Sequence, residues 1–216
     1  MDAPHNTNPL YSMKKTPSQA RSRATIDAIL EAATRILIQF GYDKASTNKI
    51  AELAGVGIGS VYEYFPGKEA IFAEVRRRED YKLFELIMGR PEPETVRGLL
   101  ELHIPIYLEF VRSNLVLHAA LINDVPQFAV GQRELPFYRD YGPWLIDFLR
   151  LHQDELRPLD NIPLLAEFTN RVSRATIDNY VLHSPEQLAD PQIELMLIDM
   201  LEHYLLKPAD KQAMRD

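Results

Sequence analysis

Cysteine is absent from this 216-residue chain, and with it every disulfide and every thiolate metal ligand. Long apolar runs are missing too. Nothing approaches the roughly 18 uninterrupted apolar residues of a membrane span, and the opening stretch, MDAPHNTNPL, lacks the basic-then-apolar layout of a secretory leader. The expectation is a cytoplasmic protein without membrane contact. Positive charge is in deficit overall, 24 basic residues against 31 acidic ones for a net charge of −7, which at first sight excludes a polyanionic partner.

What is present is ordinary globular material: 46% hydrophobic and 25% charged residues, in a length that permits one large domain or two small ones. The charge, however, is unevenly spread. From Lys14 to Lys68 stand eight basic residues (Lys14, Lys15, Arg21, Arg23, Arg35, Lys44, Lys49, Lys68) and five acidic ones (Asp27, Glu31, Asp43, Glu52, Glu63), a local balance of +3, whereas the segment from Glu69 onward is net −9. One end of the chain suits a polyanion and the other repels it.

Residues 1–20 mix Pro, Asn, Ser and Thr without apolar period and are expected to form a flexible arm carrying Lys14 and Lys15. From Arg21 the residues Ile26, Ile29, Leu30, Ala33, Ile36, Leu37 and Phe40 recur at steps of three and four, one stripe of an amphipathic helix ended by Gly41. Ser46 and Thr47 offer hydroxyl caps to a helix of about two turns in which Ile50, Ala51 and Leu53 face inward and Gly55 supplies a left-handed stop. A second short helix runs through Ser60, Val61, Tyr62, Tyr64 and Phe65 to Pro66-Gly67. Two short helices joined by a tight glycine turn predict a helix-turn-helix over 46–65. Val61 and Phe65, at helical spacing from Ile50 and Leu53, belong to its small core.

The rest also reads as helix, which makes the fold all-α with about nine helices. A three-helix unit over 21–67 is followed by a linking helix over 68–90 with the stripe Ile71, Phe72, Val75, Leu83, Phe84 and Ile87. A larger helical domain follows over 91–208, with stretches near 93–113, 114–124, 136–153, 162–184 and 191–206, and then a tail over 209–216. Prolines 126, 136, 158, 163, 185 and 191 punctuate these stretches, and Pro105 and Pro143 should kink or begin theirs. In the last helix, Ile193, Met196, Leu197, Met200, Leu201 and Tyr204 form a stripe that Leu195, Ile198 and Leu205 widen beyond a single face. A helix so apolar needs two neighbours. Burial within one subunit is one solution; a homodimer through the last two helices is the expected one.

The run TNKIAELAGVGIGSVYEYFPGKEAIF resembles the signature of the TetR family of regulators: Thr, Ile-Ala, Ala-Gly-Val, Val-Tyr-x-Tyr-Phe, then Lys-Glu-x-Ile-Phe. With the first helix the resemblance covers about 50 residues. It implies a cytoplasmic, nucleoid-associated repressor that binds a double-stranded, palindromic operator as a dimer and is released by a small-molecule effector. By the same resemblance Thr47 and Tyr62 touch phosphates, Lys68 clamps another, and Ile58, Gly59, Ser60 and Tyr64 face base edges or adjacent backbone, with Asn48 also able to reach a base. The sequence departs from the family at Gly57, where a capping Ser or Thr is common; Gly is weaker there by only a few tenths of a kcal/mol. Gly59 lowers helix propensity by about 1 kcal/mol relative to Ala but lets backbone approach the groove. Few side chains remain to read bases, so DNA shape is expected to carry part of the specificity. Arg21 and Arg23, with Lys14 and Lys15, could neutralise phosphates or remain a solvated tail.

Other chemistry finds little footing. Gly55-x-Gly-x-Gly59 has no preceding strand and no Lys-Ser or Lys-Thr at Walker spacing, and the six histidines show no Glu-x-x-His or His-Glu-x-x-His pattern. No catalytic residues, metal ligands or cofactor are therefore assigned, and the chain is read as a regulator rather than an enzyme. The resemblance implies an effector pocket in the larger domain, for which His103, Tyr107, His118, Trp144, Asn170 and Arg174 are the candidates, most of such polar and aromatic residues being ordinary core or surface groups. Arg174 suits an anionic ligand or an interface ion pair. The alternatives are a constitutive or protein-partner-controlled regulator and, from another class, a helical enzyme with an accessory DNA-binding domain.

Overall fold

The computed structural model describes residues 12–14, 20–125, 137–158 and 160–208. Lys15, Pro126, Pro136 and the tail expected over 209–216 lie outside them, as do the other residues of the expected arm apart from 12–14 and Ala20. Nine α-helices are found among the described residues: α1 (Ala20–Phe40), α2 (Thr47–Ala54), α3 (Ile58–Tyr64), α4 (Lys68–Met88), α5 (Val96–Ser113), α6 (Leu115–Asn123), α7 (Gly142–Leu151), α8 (Ile162–His183) and α9 (Pro191–Leu205). No described helix is long and apolar enough to cross a membrane. Pro143 sits in the first turn of α7, where its missing amide costs nothing, and Pro105 lies inside α5.

The chain divides into two compact units, one of residues 1–82 and 114–139, the other of residues 83–113 and 140–216, with the division falling inside α4 between Lys82 and Leu83. In the first unit, Ile26, Ile29, Leu30, Ala33, Ile36 and Leu37 of α1 are buried as the periodicity predicts, in one cluster with Ile50, Ala51, Val61, Phe65, Ile71, Phe72 and Val75. Phe40 shares the stripe by period but stands in the last turn and is 56% exposed. Leu53, expected inside, is 48% exposed. Ile50, Ala51 and Ala54 already fill the inward face of a helix of only two turns, and Leu53 falls outside that arc. Helix α6, placed by sequence in the larger domain, packs instead with the first unit: Leu117, Leu121 and Val125 join its core, and the Arg76 guanidinium donates to Leu121 O at 2.7 Å.

The second unit packs α5, α7, α8 and α9 around Leu99, Leu100, Leu108, Leu149, Leu165, Ile177, Leu197 and Leu201. An isolated antiparallel bridge, Leu156 with Leu206, ties the turn after α7 to the end of α9. Leu197, Ile198, Leu201 and Leu205 of α9 are buried, while Met196, Met200 and Tyr204, on a face rotated by about a third of a turn, are exposed. Leu164 and Phe168 of α8 are exposed as well, and the Phe168 and Tyr204 rings lie 5.4 Å apart. The second apolar face expected of α9 is therefore present, with α8 contributing to it.

Candidate nucleic-acid interface

Local chemistry sets the helix-turn-helix. The Ser46 hydroxyl caps α2 by accepting the Lys49 amide at 3.3 Å. At the other end Gly55 takes φ +68°, the left-handed value that lets its amide reach Glu52 O and the Val56 amide reach Ala51 O at 3.0 Å. Gly57 caps α3 with backbone alone: it is extended, and its carbonyl accepts the amides of Ser60 and Val61 at 2.9 and 3.3 Å. Helix α3 closes with the Phe65 amide on Val61 O at 2.9 Å, just ahead of Pro66.

On this frame Thr47 Oγ1 and the Tyr62 hydroxyl lie 3.1 Å apart, joining the start of α2 to the middle of α3, with Tyr62 46% exposed. Asn48, Gly57, Ile58 and Gly59 are exposed and Ser60 is half-buried. A Cβ built on Gly57 or Gly59 would meet nothing within 4 Å, so the chain's own packing requires neither glycine. The Lys68 ammonium donates to Tyr42 O at 3.1 Å and stands 4.2 Å from the centre of the Tyr42 ring, which fixes its place at the start of α4 while leaving donors for a further acceptor. A hydroxyl and an ammonium at the starts of α2 and α4, with the Tyr62 hydroxyl bonded to the first, are suited to phosphate oxygens.

Tyr64 requires a correction. Expected to face base edges, it is only 9% exposed and belongs to the core cluster, because the side of α3 that carries Val61 and Phe65 also takes Tyr64 inward. The arm needs one too. Ser12 to Lys14 are not a free tail: the Lys14 amide donates to Tyr64 O at 2.8 Å, its ammonium donates to Tyr62 O at 2.9 Å, and Met13 packs on the core. Neither contact had a sequence signal, since the acceptors are backbone carbonyls. Arg21 and Arg23 are exposed in the first turn of α1.

Of the six residues proposed for an effector pocket, His118 stands on α6 in the first unit and the other five in the second. His103 is buried and shares a 2.8 Å hydrogen bond through Nδ1 with the Tyr141 hydroxyl. Burial pushes the His103 imidazole down to about 4 and the Tyr141 phenol far up, so both are neutral in the folded protein. The Trp144 ring lies 5.6 Å from His103 and continues through Phe148 to His152 as an aromatic row. Tyr107 donates to Asp178 at 3.3 Å, and Asp178 also faces Arg174 at 3.9 Å, so the arginine has a carboxylate on its own helix. Asn170 is half-buried on α8. Tyr141, unremarked in the sequence, is the polar partner that His103 lacked.

A glycine-turned pair of short helices, with hydroxyls and an ammonium fixed on it, is the make-up of a DNA-binding regulator of transcription. Residues 29–75 match the profile of the family described as bacterial regulatory proteins, tetR family. Over this stretch the chain carries the DNA-binding domain of the TetR family of transcriptional regulators. It is 26% identical over 180 residues to an HTH-type transcriptional repressor of Mycobacterium tuberculosis, covering 81% of this chain and 89% of that protein. Other relatives match over shorter stretches, the chain spanning 25% and 39% of two of them. Among solved structures, native NalD, the secondary repressor of the MexAB-OprM multidrug efflux pump in Pseudomonas aeruginosa, aligns with a TM-score of 0.66 at 21% identity, covering 87% of this chain and 98% of that one. SmeT in complex with triclosan aligns with a TM-score of 0.64 at 19% identity, over 86% of this chain and 93% of that one. At these identities the structural likeness speaks for the fold.

Proposed function

We propose that the protein is a dimeric repressor that holds two helix-turn-helices about one DNA turn apart, roughly 34–36 Å, on a near-palindromic operator. The observations that carry this reading are the Thr47–Tyr62 hydroxyl pair and the Lys68 ammonium braced on Tyr42. In it Thr47, Tyr62 and Lys68 anchor phosphates; Asn48, Gly57, Ile58, Gly59 and Ser60 face the groove. The apolar face of Leu164, Phe168, Met196, Met200 and Tyr204 supports dimerisation through α8 and α9. A small effector binds the second unit and displaces α4, and by linkage an inducer must weaken operator binding by the factor the operator weakens it. The SmeT–triclosan complex and the His103–Tyr141–Trp144 row both favour an apolar, aromatic effector.

In a fluorescence-anisotropy titration, Lys68→Ala should weaken operator and random duplexes alike and reduce the slope of log K against log salt by about 0.9, one phosphate's worth. Unchanged binding to both removes Lys68 from the interface.

A further inference from the structure

Helix α3 is seven residues long, so its last carbonyls are an appreciable share of its backbone and have no partner within the helix. Val61 O is met by the Phe65 amide. The carbonyls of Tyr62 and Tyr64 are met from 48 and 50 positions away in sequence, by the ammonium and the amide of Lys14. One residue thus supplies two donors and a positive charge to the negative end of the helix dipole, and Met13 beside it packs against the core. A helix of two turns with no side-chain cap at Gly57 has little of its own to fix its axis.

We propose that Lys14 is a positioning residue for operator recognition: Met13 and Lys14 form a strap that caps the C-terminal end of α3 and fixes the angle at which that helix meets the groove. The inference rests on α3 being the groove helix. It differs from a phosphate contact by a basic arm, because a strap acts on specificity and a phosphate contact acts on all DNA. Loss of the strap lets α3 tilt, which misplaces Ile58 and Ser60 against bases without removing any charge from a phosphate.

The experiment measures the ratio of operator to random-duplex affinity, and the salt slope, for the full-length protein and its Lys14→Met, Lys14→Arg and Ile58→Ala variants. Lys14→Met is expected to lower the ratio about fivefold, a discount for exposure on the usual worth of a charged hydrogen bond, with random-duplex affinity and salt slope unchanged. Lys14→Arg, which keeps the cation and its donors, should recover most of the ratio. A uniform loss on both duplexes with a shallower slope would make Lys14 a phosphate contact and overturn the strap. A Lys14→Met protein that melted early and lost both duplexes alike would make it a fold-stabilising residue, which also overturns it. If Ile58→Ala lowers the ratio and Lys14→Met does not, the strap alone is wrong; if neither lowers it, the groove assignment of α3 falls with it.

Discussion

The two units place their polar groups in opposite ways. In the first, Thr47, Tyr62 and Lys68 sit at the edge of an apolar cluster of α1 to α4 and α6, close enough to solvent to meet a partner without rearrangement. In the second, His103 and Tyr141 are inside, bonded to each other and uncharged. A surface of hydroxyls and ammonium groups bonds any phosphodiester and discriminates weakly; an interior of neutral donors and aromatic faces rejects what does not fit. The contrast explains why a chain of net charge −7 can still approach DNA: the charge lies mostly in the unit that does not carry the edge.

The contrast breaks first if the small core is breached. Phe65 is fully buried in the core of the first unit, and Phe65→Ala should cost about 3–5 kcal/mol, abolishing operator binding while the fluorescence of Trp144, the single tryptophan, still reports a folded second unit. Loss of the Trp144 signal at the same urea concentration would mean that the two units do not unfold separately.

The next largest effect concerns the interior histidine. Its pKa falls from 6.5 to about 4 on folding, so between those values the unfolded chain binds a proton that the folded one refuses. Stability from this site is therefore complete above about pH 6.5 and is lost as pH drops toward 4, by up to about 3 kcal/mol. Urea titrations followed at Trp144 should show that slope, and His103→Gln should flatten it. An equal slope in the variant would place its origin elsewhere.

The smallest effect has two signs. Gly59→Ala adds a methyl in open space and should stabilise α3 by about 1 kcal/mol, yet weaken operator binding if backbone approaches the groove there. Melting temperature and anisotropy on the same preparation separate the two; a rise in both would move Gly59 off the interface.

How much of this was legible in the sequence follows from the range of the forces involved. Ser46, Gly55 and Pro66-Gly67 act within a few residues, and the helix-turn-helix bounds they imply are those observed. Period also identified Ile50, Val61 and Phe65 as core. It failed at Phe40 and Leu53, because a helical period gives direction and not the reach of the neighbours; Tyr64 was given to the groove by resemblance, and the core takes it instead. The placement of α6 with the first unit depends on Leu117 and Leu121 meeting residues some 45 to 90 positions away, and no local pattern records that. Lys14 was visible as a charge; its acceptors, two main-chain carbonyls, carry no residue code. The His103–Tyr141 pair was half seen, through the histidine alone.

The proposed dominance of phosphate anchoring by Thr47, Tyr62 and Lys68 is open to a salt titration. Anisotropy of the intact protein on a duplex selected from genomic fragments and on a random one, repeated with Thr47→Val, Tyr62→Phe and Lys68→Ala combined, should show log K falling linearly with log salt for the parent and both affinities collapsing together in the triple variant. A triple variant that kept its random-duplex affinity, or a parent whose binding ignored salt, would remove phosphate anchoring by these three residues as the main source of affinity.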